Sequence, residues 1–317
     1  MDYCIYNQKY VIMKKDYNEI FKKLIQGTED YLIRNNLHSQ ILGISGGIDS
    51  TVCAAICYEV EQKTGVSFIG RSLPSKYNEK LEVSSASMVG KAFCREENFD
   101  EVSIKEPYDC LHGFLQREEG YMTPTANGNI QARLRMIYLY HLAGMKRGIV
   151  IDTDNMTENN LGYFTIHGDV GDFNPIGGLW KTEIFELAKY LVEFYTERSK
   201  IHSRSDLKDE DIKRAKAISF SLNLIPTAGL GITSSDLEEL EADSYEQVDT
   251  ILKTLVKWRE SYDTFFLKKE ESLRTWISMT KNIPELKDIP KETIEAVSKR
   301  HFTSDFKREH LPIKLEL

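Results

Sequence analysis

Ile41-Leu42-Gly43-Ile44-Ser45-Gly46-Gly47-Ile48-Asp49-Ser50 decides how this chain is read. An apolar stretch suited to a buried strand breaks into small residues, and a second apolar run, Val52 to Val60, follows. The order is strand, tight loop, helix. Adjacent glycines let the backbone approach an anion closely, and the free N–H groups of the following helix point at it. Ser45, Ser50 and Thr51 add hydroxyl donors, and Asp49 puts a carboxylate where a magnesium ion bound to a phosphate would need one. The Lys of the common G-x-x-x-x-G-K-S/T cradle is missing, so this is a different phosphate loop. At average composition S-G-G-x-D-S arises by chance in roughly one in a few thousand chains of this length, which weighs against an ordinary Gly-Gly turn.

Outward from the loop, short apolar runs at 40–44, 66–71, 99–104 and 148–152 read as strands. Helical segments at about 50–62, 79–95 and 129–146 separate them, after an amphipathic helix at 17–36 with Ile20, Phe21, Leu24 and Ile25 on one face. This alternation predicts an α/β fold with a doubly wound parallel sheet and its ligand at the carboxyl ends of the strands. Asp49 and Thr153 lie just past the first and fourth strands, so one crevice can gather both. Beyond residue 181 the pattern is mainly helical. The charged segment 197–214 reads as a solvated insertion, 281–290 as a Pro-containing linker, and the tail as basic, with Lys299, Arg300, Lys307 and Arg308. The expectation is one domain over 1–317, with a core of about 17–255 and a helical, basic C-terminal portion of about 256–317.

The 317 residues can bury a full core, and their net charge of −8 argues against a nucleic-acid surface. No stretch approaches 18 uninterrupted apolar residues, and the polar start does not read as a signal peptide. The five cysteines form no C-x-x-C pair and read as reduced thiols, so a cytoplasmic location is expected.

Three further segments carry unusual residue choices. Thr123-Pro124-Thr125-Ala126-Asn127-Gly128-Asn129 leads into a helix bearing Arg133 and Arg135, either of which can reach a carboxylate or phosphate with a bidentate fork. Asp152-Thr153-Asp154-Asn155-Met156-Thr157-Glu158 follows a strand and places Glu158 to share an ion with Asp49. The aromatic loop from Gly162 to Ile176 contains His167-Gly168-Asp169-Val170-Gly171-Asp172. It ends near Leu179-Trp180-Lys181-Thr182, with a Lys at a helix start, where the helix dipole disfavours a cation unless an anion is near.

S-G-G-I-D-S, G-N-x-x-A-R-x-R-M, the Thr153–Glu158 spacing, G-Y-F-T-x-x-G-D, N-P-I-x-x-L-x-K-T and Pro226-Thr227-Ala228 occur here in the order in which they occur in NAD synthetases. The chain resembles that family, a branch of the ATP pyrophosphatases with an adenine-nucleotide α-hydrolase-like fold, over about 17–255 plus the tail near 300–312. The resemblance implies that Gly43, Ile44, Ser45, Gly46, Gly47, Ile48, Asp49 and Ser50 hold the ATP phosphates. It implies that Asp49 and Glu158 bind Mg2+, that Thr153, Lys181 and Thr227 contact ATP, and that Arg133, Asp172 and Lys307 contact deamido-NAD. A homodimer is implied as well. Where bacterial ammonia-dependent members commonly have T-K-Y-G-D, this chain has Thr165-Ile166-His167-Gly168-Asp169, and Phe306-Lys307-Arg308 stands where the tail often reads H-K-R.

The implied reaction is ATP-dependent amidation of deamido-NAD to NAD, through an acyl adenylate, with release of AMP and pyrophosphate. Asp49, Glu158, Lys181 and Asp169 are the expected catalytic groups, Asp169 taking the proton of ammonium. Only about 40 residues precede the loop and Asp2 follows Met1, so neither a nitrilase-like nor an N-terminal-nucleophile glutaminase is expected, and the nitrogen source is ammonia. The alternatives are another ATP pyrophosphatase, GMP synthetase-like or tRNA-modifying, and a nucleotide-binding module without catalysis. Neither nucleic acid nor membrane is expected as a partner.

Overall fold

The computed structural model describes residues 15–224, 235–261 and 269–308. The elements run α1 (Tyr17–Arg34), β1 (Ser39–Gly43), α2 (Ile48–Thr64), β2 (Ser67–Ser72), α3 (Lys80–Phe93), β3 (Phe99–Glu101), α4 (Lys105–Glu119), α5 (Pro124–Lys146) and β4 (Gly148–Ile151). They continue with α6 (Met156–Leu161), α7 (Lys181–Ile201), α8 (Ser205–Leu222), α9 (Asp236–Glu239), α10 (Tyr245–Ser261), α11 (Lys269–Thr280) and α12 (Lys291–Thr303).

The strands form one parallel sheet in the order β3-β2-β1-β4, with Ser39 of β1 in register with Ser67 of β2 and Gly148 of β4. Side chains alternate across it, as a period of two requires. Leu42, Phe68, Ile149 and Ile151 join a cluster with α1, α2, α3, α7 and α8, whereas Ile41, Ile69 and Val150 pack on Met136, Leu139 and Leu142 of α5. Both faces are covered, which is the doubly wound arrangement the alternation predicts. A third cluster, built from α6, α10, α11 and α12 around Trp258, Trp276, Val297 and Phe302, adds the C-terminal helices.

Several boundaries differ from the sequence reading for identifiable reasons. Helix α2 begins at Ile48, so Asp49 sits inside its first turn. Helix α5 begins at Pro124 because Thr123 caps it, its hydroxyl accepting from Ala126 N at 3.1 Å, and Pro fits a first turn that needs no donor. The 197–214 segment is largely exposed, as its charge suggests, but it is helical and anchored to the fold. It covers the end of α7 and much of α8, and a small group of its charges turns inward: Asp211 is fully buried and accepts from Arg198 Nε and Nη2, both at 2.7 Å, and from Arg214 Nη1 at 2.8 Å. The 281–290 segment likewise buries Leu286 in the third cluster.

Candidate active site

The loop between β1 and α2 is shaped by contacts behind it. Gly46 has φ +90°, and a Cβ there would meet Glu82 O at 2.4 Å and Ala86 N at 2.8 Å, so only glycine fits. Its carbonyl accepts from Ser85 Oγ (2.7 Å) and Ser221 Oγ (2.8 Å), which ties the loop to α3 and α8. Gly47 caps α2 without a side-chain hydrogen bond, leaving the first-turn N–H groups for another acceptor. Ser45 Oγ and Ser50 Oγ lie 3.0 Å apart on the cavity side. Thr51 turns inward, donating to Gly47 O at 2.9 Å, so it supplies no donor to a ligand.

A cavity of about 610 Å³ opens over the carboxyl ends of β1, β2 and β4. On its floor Lys181 Nζ donates to Asp49 Oδ2 at 2.6 Å and to Glu158 Oε1 at 2.9 Å. Lys181 is 2% exposed. Burial alone would lower its pKa, but the two carboxylates outweigh that and hold it well above the usual lysine range. Glu158 is pushed up to about 7, chiefly by burial, with Lys181 opposing and Asp49 adding repulsion. Asp154 is raised well above an ordinary carboxylate, first by burial and then by Asp152 and Glu158.

Two networks hold this floor. Asn155 caps α6: its Oδ1 accepts from Glu158 N (3.0 Å), its own N donates to Glu158 Oε2 (3.2 Å), and its Nδ2 donates to Asp49 Oδ1 (2.9 Å). Asp249 of α10, 1% exposed, accepts from Thr157 Oγ1 (2.5 Å) and from Thr182 N (3.0 Å) and Oγ1 (2.7 Å), while Thr157 Oγ1 accepts from Lys181 N (2.9 Å). A buried acid thus sits at the N-terminus of α7, where the helix dipole favours it, and fixes the turn that carries Lys181.

The sequence profile described as NAD synthase matches residues 20–311. The chain belongs to the NAD synthase family. An NH(3)-dependent NAD(+) synthetase of Wolinella succinogenes is 31% identical over 295 residues, covering 93% of this chain and 94% of the relative. One from Campylobacter jejuni (strain 81116) is 30% identical over 266 residues, covering 81% of this chain and 99% of the relative. A solved structure of NMN synthetase from Francisella tularensis has a TM-score of 0.70 at 25% identity, covering 96% of this chain and all of that one.

Of the positions this NAD synthase family resemblance singles out, Gly43, Ile44, Ser45, Gly47, Ile48, Asp49, Ser50, Thr153, Glu158, Asp169, Lys181 and Lys307 line the cavity. Gly46 does not, because it forms the bend behind the loop. Thr227 lies outside the described residues. Arg133 and Asp172 are not brought into the cavity. Arg133 is exposed and donates to Ile166 O at 3.0 Å; Asp172 accepts from Tyr140 Oη at 2.9 Å and Val150 N at 3.1 Å. Arg135, weighed equally with Arg133 in the sequence, is the one that lines the cavity, donating to Leu73 O at 2.9 Å and Asn78 Oδ1 at 3.0 Å. Lys307 spans the loop, donating to Gly162 O at 2.7 Å and Phe164 O at 2.5 Å. Asp169 Oδ1 accepts from Thr165 N at 2.6 Å, and burial raises its pKa.

Asn155, Thr157 and Asp249 were missed. The N-x-x-E spacing from Asn155 to Glu158 is a capping signal open to sequence reading. Asp249 carries none, since its partners are long-range.

Proposed function

We propose that this NAD synthase family member amidates deamido-NAD to NAD with ammonia, cleaving ATP to AMP and pyrophosphate. The observation that carries the reading is the meeting of Asp49, Glu158 and Lys181 at one point beneath a phosphate-type loop. A carboxylate is a poor electrophile, and ammonia cannot displace oxide from it. The nicotinate carboxylate therefore attacks the α-phosphorus, the bond to pyrophosphate breaks, and an acyl adenylate forms. Ammonia then attacks the carbonyl and AMP leaves.

The loop amides, with the hydroxyl of Ser45, orient the phosphates. Lys181 opposes the charge that builds on the departing pyrophosphate in a site of low dielectric. Asp169, with its basicity raised by burial, takes the proton that ammonium must lose. Among the described residues no group of three or more His, Cys, Asp or Glu side chains is placed to hold an ion by itself. Two carboxylates completed by phosphate and water oxygens are nevertheless a donor set that suits Mg2+. Bound by Asp49 and Glu158, the ion would neutralise phosphate charge.

A second reading is amidation of nicotinate mononucleotide to NMN. Two observations favour it: the Francisella NMN synthetase matches over nearly the whole chain, and Arg133 and Asp172 do not line the cavity. The chemistry on the nicotinate carboxylate is the same. We place the enzyme in the cytoplasm, since Cys53, Cys57, Cys94 and Cys110 are free thiols and no helix among the described residues is long and apolar enough to cross a membrane. We also propose a homodimer. Arg133, Ile137, Tyr140 and Gly144 follow one face of α5, with Ile137 65% and Tyr140 41% exposed, and a second copy covering that face would bring Arg133 and Asp172 to the junction.

The test is a survey of AMP and pyrophosphate formation with deamido-NAD, nicotinate mononucleotide, xanthosine monophosphate and aspartate, each with ammonium or glutamine. Product is expected with a nicotinate substrate and ammonium. Asp49→Asn and Glu158→Gln are each expected to lower turnover about 100-fold or more. Turnover unmoved by either substitution ends the metal assignment, and product formed equally well from glutamine ends the ammonia assignment.

A further inference from the structure

Asn155 occupies a place in the site that chemistry at the phosphates does not by itself require. It is fully buried, it donates to both proposed metal carboxylates, from its side-chain Nδ2 to Asp49 and from its backbone N to Glu158, and its Oδ1 accepts from Glu158 N. Its orientation is fixed by its partners. Glu158 N can only donate, so it faces Oδ1, and this turns Nδ2 toward Asp49 Oδ1. The result is a closed ring: Asn155 to Asp49, Asp49 to Lys181, Lys181 to Glu158, and Glu158 back to the Asn155 backbone. Within it each carboxylate commits one oxygen to Asn155 and one to Lys181. Asp49 rides on the first turn of α2 and Glu158 on the first turn of α6, two elements 106 residues apart in the chain at the Asn155–Asp49 bond. Asn155 is the uncharged member of the ring, and its side chain joins those two turns directly.

We propose that Asn155 is a positioning residue that sets the separation of Asp49 and Glu158 and thereby the affinity and size selectivity of the divalent-cation site. The inference rests on the proposed role of those two carboxylates. Mg2+ demands nearly ideal octahedral geometry at about 2.0–2.1 Å, so it is the ion most sensitive to slack between its ligands. Groups that orient metal ligands typically change metal affinity or activity about 10- to 100-fold when removed. A plain helix cap predicts something different, because Ser caps as well as Asn does yet is too short to reach Asp49.

Asn155→Ser and Asn155→Ala separate the two roles. The primary readout is Mn2+ binding in the presence of a non-hydrolysable ATP analogue, followed by the electron paramagnetic resonance signal of free Mn2+. Both variants are expected to bind Mn2+ about 10- to 100-fold more weakly than wild type. In turnover, the half-saturating Mg2+ concentration should rise by a similar factor, while KM for the nicotinate substrate stays within about twofold and Ca2+ inhibits less selectively. Circular dichroism checks folding, and should the Ala variant fail to fold, the Ser variant carries the test alone. Wild-type Mn2+ affinity in Asn155→Ser, with or without impairment in Asn155→Ala, reduces Asn155 to a helix cap and overturns the proposal. Mn2+ affinity insensitive to Asp49→Asn overturns it as well. A wild-type chain that binds Mn2+ with the analogue but amidates nothing refutes the functional reading and leaves the positioning result standing.

Discussion

At the scale of single residues, Lys181 shows how one position acquires two obligations. A lysine at the start of a helix is opposed by the dipole, yet here Asp249 anchors its turn and two carboxylates receive its ammonium. Because those carboxylates hold its pKa well above the usual range, Lys181 stays charged throughout the working pH range and contributes no titration to the rate profile. Lys181→Met removes the one positive charge that, among the described residues, is bonded to both carboxylates. Turnover at saturating ATP is expected to fall about 10²- to 10³-fold, measured by pyrophosphate release. A loss below tenfold would mean that the leaving group draws its stabilisation from elsewhere.

At the scale of elements, the α7–α8 pair adds a buried ion cluster to a segment whose charges are otherwise exposed. Glu197 to Arg214 looks like a solvated face because its composition is almost wholly polar. In the fold, Asp211 gathers Arg198, Arg214 and His202 beneath α2, where Arg198 also meets Glu59 at 2.9 Å. Burial would raise the Asp211 pKa, but the hydrogen bonds and charge of Arg198, then of Arg214, outweigh it and the pKa is lowered. Asp211→Ala leaves two guanidinium groups without their shared anion and is expected to cost about 3 kcal/mol, the low end for a broken buried pair because Arg198 is 23% exposed. Urea unfolding measures it, and a loss under about 1 kcal/mol would mean that the Asp211 cluster does not anchor the segment. The same comparison explains what was legible. The four strands, the loop and the carboxylates at 49 and 158 could be read because strand periodicity and turn chemistry are local. Asp249, Asp211 and the inward turn of Thr51 could not, because each is decided by partners far away in sequence.

At the scale of the whole molecule, the C-terminal helices brace the site from behind. Asn160 O at the end of α6 accepts from Arg308 Nη1 at 2.7 Å and from His301 Nδ1 at 2.9 Å, and Leu161 O accepts from Arg300 Nε at 2.9 Å. Cationic and N–H donors at a helix C-terminus satisfy its open carbonyls and suit its dipole. Since Glu158 stands on the same short helix, these bonds join the C-terminal layer to the floor of the cavity. His301 makes that junction sensitive to acid. Its Nδ1 donates to Asn160 O, its Nε2 accepts from Arg259 Nη1 at 2.9 Å, and the second bond requires the neutral ring. Burial first, then Arg308 and Arg259, lowers its pKa to about 3, with Asp305 and the Asn160 carbonyl opposing. The unfolded chain binds this proton near pH 6.5 and the folded chain does not, so stability falls as pH drops below about 6.5. The expected loss from this one group between pH 7.5 and pH 5 is about 2 kcal/mol. His301→Gln, which keeps a donor and an acceptor but cannot titrate, should start less stable at pH 7.5 and show a shallower decline. Chemical denaturation of both proteins across that range decides it: parallel slopes would move the acid sensitivity to other groups and release His301 from the role.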